Sequence, residues 1–473
     1  MFPMVGAMRE TAAVAAGKAA MWASRRAGLG AGSNLPGKVA LSILPDLPRR
    51  IASRIPGGCV LISGTNGKTT TANLLAHLLS LRGTRPVHNR IGANLVTGIT
   101  AAMVEDCDLA GRPRGDLGLF EVDEATLPRA VELLSPRLVI ITNLYRDQLD
   151  RYGELETLAS RMRLALASLE RDAVLLLNAD DPLVSTLGEE SPARLLYFGI
   201  EDPSLREKGM RHAADSKYCR RCGSRLEFRR VYFSHMGDYR CPACGVDRPV
   251  PQVSARRVEL RGAQGSRVLL SLAGEDLEVL SPLPGLYNVH NLLAAAGAAY
   301  LLGVDAGTIA RGVEEYRTAF GRGESFSLRR RRLFLVLSKN PTGFNEVIRT
   351  VRREGESLLL LLALNDRIAD GRDVSWIWDV DFEELAPAAR LVVASGTRAE
   401  DMALRMKYAG MESGSIVVEK DLKKAILRAL AAANEGETVF ALTTYTATLE
   451  ARKVLSRMGV AEEIWRNGRR QEV

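Results

Sequence analysis

One segment, residues 58–83, limits the fold of this chain more than any other. The run GCVLIS from Gly58 to Ser63 is apolar and typical of a buried strand, and TTTANLLAHLLSLRG from Thr69 onward has apolar residues at helical spacing. Between them lies a glycine-containing turn, whose backbone N–H groups and following helix N-terminus can hold phosphate oxygens. The sequence therefore predicts a strand, a phosphate-binding loop and a helix.

The loop carries side chains that suit a nucleotide. Lys68 supplies a cation and Thr69 a hydroxyl for Mg²⁺. The general pattern G-x-x-x-x-G-K-[ST] would place a glycine at position 62, where this chain has Ile62. A plain Gly/Asn turn before a helix is the alternative to a nucleotide site. The predicted ATP-binding residues of the loop are Gly64, Thr65, Asn66, Gly67, Lys68, Thr69 and Thr70.

The length and the order of the apolar runs indicate several domains. A chain of 473 residues exceeds the roughly 250 to 300 residues at which a single core stops growing. Apolar runs alternate with helix-like stretches, as in a parallel sheet covered by helices, and the alternation resumes after a basic run at 329–332. We predict an α/β protein: an N-terminal helical segment (1–45), an ATP-binding domain (46–325) with an insertion at about 205–250, and a Rossmann-like α/β C-terminal domain (326–473).

Charge and composition indicate where the protein is located in the cell, but they do not identify its function. The net charge of +8 suits nucleic acid, an anionic membrane surface or an anionic substrate, and does not choose among them. No apolar run approaches the roughly 18 to 20 residues that span a bilayer. The first thirty residues are Ala-rich and basic, which favours an amphipathic helix over an export signal. We expect a soluble, cytoplasmic protein. Its positive charge is compatible with contact at the inner face of the cytoplasmic membrane.

Four of the six cysteines form a metal-binding pattern. Cys219, Cys222, Cys241 and Cys244 have the spacing C-x2-C-x18-C-x2-C, which predicts a four-cysteine zinc site. Four thiolates close a tetrahedron with no open position, so this zinc is expected to be structural. A redox pair and a nucleic-acid-binding ribbon are the alternatives. The other two cysteines, Cys59 and Cys107, are predicted to be buried and structural.

The loop GTNGKTT resembles the ATP loop of the Mur ligases and folylpolyglutamate synthases, which activate a carboxylate as an acyl phosphate. This resemblance implies that Glu121 binds Mg²⁺, that Asn288 and Asn291 lie near the adenine, and that Arg322 binds phosphate. Gln148 stands where many Mur ligases have a His that helps bind a second Mg²⁺, so one Mg²⁺ is expected. The motifs that carry the resemblance are GAN (92–94), FEVDE (120–124), TNLYRDQLDRYG (142–153), NADDP (178–182), GLYNVHN (285–291) and GRGE (321–324).

Two further features resemble the MurT-type branch of the Mur ligase family: the four-cysteine insertion, and the segments 364–383, 395–406 and 443–450. MurT-type subunits work with GatD, a glutaminase-like subunit that has a Cys and a His. The resemblance implies that Asp373 completes that pair as the third catalytic residue, across a subunit interface. Lys339 is a candidate for stabilising the acyl phosphate, and a plain strand-to-helix turn is an equal alternative there.

The resemblance implies a reaction. ATP would phosphorylate the α-carboxylate of D-glutamate in the stem peptide of lipid II, and ammonia from the GatD-type partner would displace the phosphate to give D-isoglutamine. A Mur or folylpolyglutamate-type ligase that adds an amino acid is the nearer rival. A zinc-ribbon ATPase that binds nucleic acid is the more distant one, and we expect no nucleic-acid partner.

Overall fold

The computed structural model describes residues 2–26, 34–89, 93–146, 155–205, 215–317, 322–328 and 330–461. The chain divides into two compact units. The first comprises residues 1–259, 267–281 and 287–316, and the second comprises 260–266, 282–286 and 317–473. The domain limits expected from the sequence stay a prediction beside this division.

A nine-stranded sheet forms the centre of the first unit. Its order is β11-β10-β9-β6-β5-β4-β1-β3-β2, and the pairs from β2 through β6 to β9 are parallel. The central strands are buried along their whole length, as expected when helices cover both faces of a sheet. The strands are β1 (Cys59–Ser63), β2 (Pro86–His88), β3 (Leu117–Glu121), β4 (Leu138–Ile141), β5 (Val174–Asn178), β6 (Arg194–Ile200), β9 (Val253–Leu260), β10 (Ser266–Leu272) and β11 (Glu275–Ser281).

Helices follow most of these strands. The described helices of this unit are α1 (Phe2–Arg26), α2 (Leu35–Ile43), α3 (Leu47–Ala52), α4 (Lys68–Leu81), α5 (Val96–Asp106), α6 (Leu127–Leu134), α7 (Leu155–Leu166), α8 (Leu286–Leu301) and α9 (Ala306–Glu315). The predicted N-terminal helix is α1, and its small residues allow close packing: a Cβ on Gly17 would lie 3.3 Å from the Cβ of Ala40 in α2. No helix in the described ranges is long and apolar enough to cross a membrane.

The predicted insertion contains a separate two-stranded antiparallel sheet. Its strands are β7 (Glu227–Phe233) and β8 (Met236–Arg240), joined by a tight turn at Ser234. Ser234 has a positive φ of 50°. The four cysteines flank this hairpin, and Cys219, Cys241, Leu226 and Tyr239 form a small apolar core. The insertion therefore has its own centre, apart from the main sheet.

A six-stranded sheet of order β12-β13-β17-β14-β15-β16 forms the second unit. Apolar side chains from both faces of this sheet pack under helices, which gives two apolar clusters. Its strands are β12 (Arg322–Leu328), β13 (Arg331–Leu337), β14 (Leu358–Ala363), β15 (Ala389–Ser395), β16 (Ile416–Val418) and β17 (Thr438–Thr443). Its helices are α10 (Pro341–Arg352), α11 (Phe382–Leu385), α12 (Ala399–Tyr408), α13 (Leu422–Ala431) and α14 (Tyr445–Arg457).

The predicted α/β class is confirmed, and side-chain caps set the starts of two helices in the second unit. Helix α10 begins at Pro341, where the side chain of the preceding Asn340 accepts the N–H of Gly343 at 2.8 Å. Proline is well suited to the first helical position after such a cap. Likewise, Asp421 caps α13 by accepting the N–H of Lys424 at 2.9 Å, so the helix begins one residue after it.

The contact between α2 and α5 depends on a glycine. A Cβ at Gly37 would lie 1.8 Å from the carbonyl oxygen of Thr97, so no side chain fits there. We expect Gly37→Ala to lower the free energy of unfolding by about 3 kcal/mol, the upper end of the usual range for overpacked cores, because the clash is with backbone. Denaturant unfolding would measure this. Gly414→Ala is the matched control, because nothing lies within 4 Å of a Cβ there; equal stability of the two variants would contradict the prediction.

Candidate functional site

The predicted phosphate loop connects β1 to α4 and is held by the segment after β4. The N–H of Thr65 donates to the carbonyl of Asn143 at 2.9 Å, and the N–H of Asn66 to Asn143 Oδ1 at 2.8 Å. Thr142 Oγ1 donates to the carbonyl of Asn66 at 2.8 Å. Thr142 and Asn143 begin the motif TNLYRDQLDRYG (142–153), and no role was predicted for either residue. The structure shows that they fix the loop backbone.

Two side chains at the start of α4 reach buried carboxylates. Lys68 is only 8% exposed, and its Nζ lies 3.0 Å from Glu124 Oε2 and 3.3 Å from the carbonyl oxygen of Thr65. Thr69 Oγ1 donates to Glu121 Oε2 at 2.8 Å. The start of α4 therefore places the ammonium group of Lys68 beside Glu124 and the hydroxyl of Thr69 beside Glu121.

Glu121 ends β3 and is held from below by an asparagine. Asn89 Nδ2 donates to the carbonyl of Glu121 at 2.8 Å, and the N–H of Glu121 donates to Asn89 Oδ1 at 2.9 Å. Thr69 and Glu121, the pair predicted for Mg²⁺, are thus in contact, and their hard oxygen atoms suit that ion. Glu124 and Asn89 were missed; the acidic motif at 120–124 was the available signal for Glu124.

Helix α8 brings both predicted adenine contacts to the loop. Asn288 and Asn291 are 3% exposed each, and Asn291 Nδ2 donates to Asn288 Oδ1 at 2.9 Å. Asn291 Oδ1 lies 2.0 Å from where a Cβ on Gly67 would be. Thr70, one turn into α4, is also buried. The predicted loop residues, Glu121 and the two asparagines therefore form one cluster, while their individual roles stay predictions.

The remaining predicted nucleotide residues are placed as follows. Arg322 begins β12 in the second unit, and its side chain lies outside the described part of the chain. Lys339 follows β13 in the same unit and is half-buried. Gln148 lies outside the described residues. The roles expected for these three residues remain predictions.

The four cysteines converge on one point. Cys219 Sγ lies 3.5 Å from Cys244 Sγ, Cys222 Sγ lies 3.4 Å from Cys241 Sγ, and all four sulfur atoms are within 4.8 Å of one another. A tetrahedral zinc with Zn–S bonds of about 2.3 Å would put its sulfurs about 3.8 Å apart, so the cluster fits such an ion.

Two similar turns build this cluster. The N–H of Gly223 donates to the carbonyl of Cys219, and the N–H of Gly245 to that of Cys241. Both glycines have a φ above 70°. By contrast, Cys59 and Cys107 are buried and unpaired with sulfur, as predicted, and burial raises the pKa of their thiols to about 12 and about 11.

Asp373 is an exposed carboxylate at the carboxyl side of the second sheet. The N–H of Ser375 donates to Asp373 Oδ1 at 2.8 Å and Ser375 Oγ donates to Oδ2 at 2.9 Å, and these two bonds hold the pKa of the carboxyl below its usual value. The neighbouring Asp370 is buried and accepts both the N–H and the hydroxyl of Thr446. Asp370 therefore serves the fold, whereas Asp373 faces outward in its ionised form.

The close approach of Asn291 to Gly67 generates a prediction. Gly67→Ala would force a Cβ onto Asn291 at a φ of 87°, where side chains are strained. We expect ATP binding to weaken by about 100-fold or more, because the loop and both asparagines must move. Isothermal titration with a non-hydrolysable ATP analogue would measure it. Gly83→Ala is the control, since it has a φ of 84° but open space around it; equal weakening in both variants would contradict the prediction.

Comparisons with known proteins agree with this geometry. The Mur ligase middle domain family matches residues 62–238, and the MurT ligase C-terminal family matches residues 337–448. A lipid II isoglutaminyl synthase (glutamine-hydrolysing) subunit MurT from Staphylococcus aureus is 34% identical over 95% of this chain and 98% of its own. The subunit of the same name from Streptococcus pneumoniae is 32% identical over 97% of this chain and 99% of its own.

Solved structures support the same fold at lower identity. A pseudomurein peptide ligase type C from Methanothermus fervidus is 22% identical, with a TM-score of 0.65 over 86% of this chain and 80% of its own. MurF from Acinetobacter baumannii is 17% identical, with a TM-score of 0.65 over 89% of this chain and 80% of its own. These two likenesses concern the fold alone.

The relatives cover nearly the whole chain and the two family models cover residues 62–238 and 337–448, and together they confirm the resemblance drawn from the motifs. The predicted Mur-ligase architecture with a four-cysteine insertion and an α/β C-terminal sheet is confirmed as well. The chain belongs to the MurT family, the Mur ligase-type subunits of glutamine-hydrolysing lipid II isoglutaminyl synthase.

Proposed function

We propose that this chain is the ligase subunit of a two-subunit enzyme that amidates the α-carboxylate of D-glutamate in the stem peptide of lipid II. The observation that carries the proposal is the similarity to MurT subunits over 95% of the chain. The clustering of Lys68, Thr69 and Glu121 at one loop supports it further. The reaction uses ATP and ammonia and yields D-isoglutamine, ADP and phosphate.

The chemistry has two steps. A carboxylate oxygen of the substrate attacks the γ-phosphorus of ATP, the bond to ADP breaks, and an acyl phosphate forms. Ammonia then attacks the acyl carbon, phosphate leaves with the C–O bond electrons, and the nitrogen loses a proton to give the amide. Activation is necessary because a free carboxylate is a poor acyl donor.

The loop residues of this chain support the first step. The backbone N–H groups of 67–70, at the positive end of α4, would hold the phosphates, and the buried Lys68 would offset their charge. Lys68 Nζ lies 3.0 Å from Glu124 Oε2 and 3.3 Å from the carbonyl oxygen of Thr65, so the ammonium group is already held beside the loop. Asn288 and Asn291 would contact the adenine side, and Arg322 would bind phosphate.

A single Mg²⁺ would be held by Thr69 and Glu121, and when bound it neutralises phosphate charge during transfer. Zn²⁺ is the metal we assign to the four cysteines, with a structural role, because four thiolates leave no position for substrate. The two ions thus serve separate purposes: one belongs to the nucleotide loop, and the other belongs to the insertion.

The nitrogen would come from a partner. We propose a GatD-type glutaminase whose Cys and His release ammonia from glutamine, with Asp373 of this chain orienting that His. The outward, ionised carboxylate of Asp373 suits contact with another subunit. The complex would act in the cytoplasm, where lipid II is reached at the inner face of the membrane.

Asp373→Asn separates the two nitrogen sources. We expect glutamine-dependent amidation of lipid II to fall by about 10³ to 10⁴, as when the acid of a comparable triad is lost, while ammonium-dependent amidation is unchanged. Mass spectrometry of lipid II, with the full complex and each nitrogen source in turn, would measure this. Asp379→Asn, six residues away and also exposed, should behave as wild type with both sources.

Either of two results would contradict the assignment. Loss of both activities in Asp373→Asn would place that residue in the ligase reaction or in the fold. Incorporation of an added amino acid, with no use of ammonium or glutamine by the wild type, would identify a conventional Mur or folylpolyglutamate-type ligase instead.

The zinc assignment predicts one zinc ion per chain. We expect Cys222→Ser to lose most of the bound zinc and to lower the melting temperature, because structural sites contribute folding free energy. Elemental analysis of the purified protein and thermal unfolding would measure both. Cys107→Ala is the control, since it removes a buried cysteine outside the cluster and should keep the zinc. Full zinc content in Cys222→Ser would contradict the assignment.

A further inference from the structure

The tip of the β7–β8 hairpin is buried in the body of the first unit. Phe233, His235 and Met236 are at most 4% exposed, although they belong to an insertion. The ring of His235 lies 4.7 Å from that of Tyr145, centroid to centroid, and Phe233 meets the ring of His290 edge-on at 5.4 Å. Tyr145 in turn bonds Thr65 of the phosphate loop through its N–H at 3.0 Å. A single residue, Tyr145, therefore lies between the hairpin tip and the phosphate loop.

A buried carboxylate, Asp180, joins the insertion to helix α8. Its Oδ1 accepts Arg248 Nε at 2.6 Å, and its Oδ2 lies 2.7 Å from His290 Nε2 and accepts the N–H of Ile200 at 2.9 Å. Its backbone carbonyl accepts the N–H of Gly237 in β8 at 2.9 Å. Asp180 is thus bonded to β6, to the hairpin, to the segment after Cys244 and to α8.

These bonds are needed because Asp180 is fully buried. Burial alone would raise the pKa of its carboxyl, but the charge of Arg248 and the bond from His290 outweigh this and hold the pKa below its usual value. A buried carboxylate that loses a partner costs several kcal/mol, so the position of Asp180 is tied to Arg248 and His290 together. A displacement of Arg248 or of His290 would therefore displace Asp180 as well.

His290 carries this link to the ATP loop. It lies next to Asn291, whose side chain occupies the space that Gly67 leaves free, and two residues from Asn288. One turn of α8 thus carries both His290, which contacts the insertion, and the pair Asn288 and Asn291, which lies at the loop. A helix is rigid over such a distance, so a displacement of His290 is transmitted to both asparagines.

The insertion end of this link depends on the cysteine cluster. Arg248 follows Cys244 by four residues, and its N–H donates to the carbonyl of Tyr239 in β8 at 3.0 Å. Arg248 also pairs with Glu201 at 2.6 Å and is 6% exposed. The turn at Cys241–Val246 precedes this segment directly. A metal on the four sulfurs would fix the turn and, through it, the approach of Arg248 to Asp180.

We propose that Asp180 and His290 are positioning residues for ATP, through which the metal-bound insertion holds Asn288 and Asn291 against the phosphate loop. The inference rests on the proposed function, since it assigns the loop to ATP. It gives the four-cysteine site a second effect besides stability: loss of the metal weakens nucleotide binding at a distance. The contact that transmits it is the bond between Asp180 and His290.

The first test changes that contact in the full chain with its partner subunit. We expect His290→Leu to weaken binding of a non-hydrolysable ATP analogue roughly tenfold, within the range for coupling through packed networks. His290→Gln, which keeps a side-chain donor for Asp180, should recover most of the affinity. Calorimetry without lipid II measures binding alone, and hydrogen exchange of residues 64–71 should increase in the Leu variant only.

The second test removes the metal. Chelation of zinc from wild type should weaken binding of the analogue by a similar factor, whereas chelation of His290→Leu should add little, because both changes break one link. Arg221→Ala is the control on the insertion surface; its exposed pair with Glu189 takes no part in the link. It should bind the analogue as wild type does.

Three results would overturn the inference: wild-type affinity in His290→Leu, no recovery in His290→Gln, or fully additive effects of chelation and the Leu variant. If His290→Leu does not fold, His290→Gln with and without zinc decides instead: retained affinity with zinc and loss without it supports the link. Failure of the proposed function is distinguishable, because the wild type would then bind the analogue, with these same dependences, but would not amidate lipid II.

Discussion

The absence of side chains at two glycines of the phosphate loop is the constraint on which the rest of the first unit depends. At Gly64 a Cβ would lie 2.3 Å from Thr142 Oγ1, and at Gly67 it would lie 2.0 Å from Asn291 Oδ1. Both glycines have positive φ. Because the loop backbone is so close to its neighbours, the segment after β4 and helix α8 can hold it from two sides, which leaves its N–H groups and Lys68 in fixed positions.

Two buried ion pairs in this unit each join different elements of the fold. Lys68 in α4 pairs with Glu124 after β3, and Asp180 after β5 pairs with Arg248 from the insertion. Such pairs contribute little net stability but are costly to break, so they specify one arrangement of the elements. The insertion therefore takes part in the packing of the nucleotide domain and is more than an appendage on its surface.

In the second unit, two aspartates three residues apart differ in burial: Asp370 is buried and Asp373 is exposed. Both carboxylate oxygens of Asp370 accept hydrogen bonds, from the N–H and the hydroxyl of Thr446. These bonds join the segment after β14 to the start of α14. Asp373 lies three residues further on and is exposed, and within the described part of the chain its carboxylate accepts hydrogen bonds only from Ser375. Burial therefore rules out Asp370 as a residue that could reach a partner subunit, while the role of Asp373 stays a prediction.

Local patterns in the sequence determined a large part of this protein: the parallel strands, the loop between β1 and α4, and the four-cysteine cluster all depend on residues close together in the chain or on a fixed spacing. The family followed from motifs in order. Only the tertiary structure decided which side chains meet across long separations. Glu124 with Lys68, Asn89 with Glu121, and Asp180 with both Arg248 and His290 could not be paired from sequence, because strand order and burial set those contacts. A carboxylate in a motif looks the same whether it faces solvent or a buried arginine, and the packing of distant elements is what distinguishes the two.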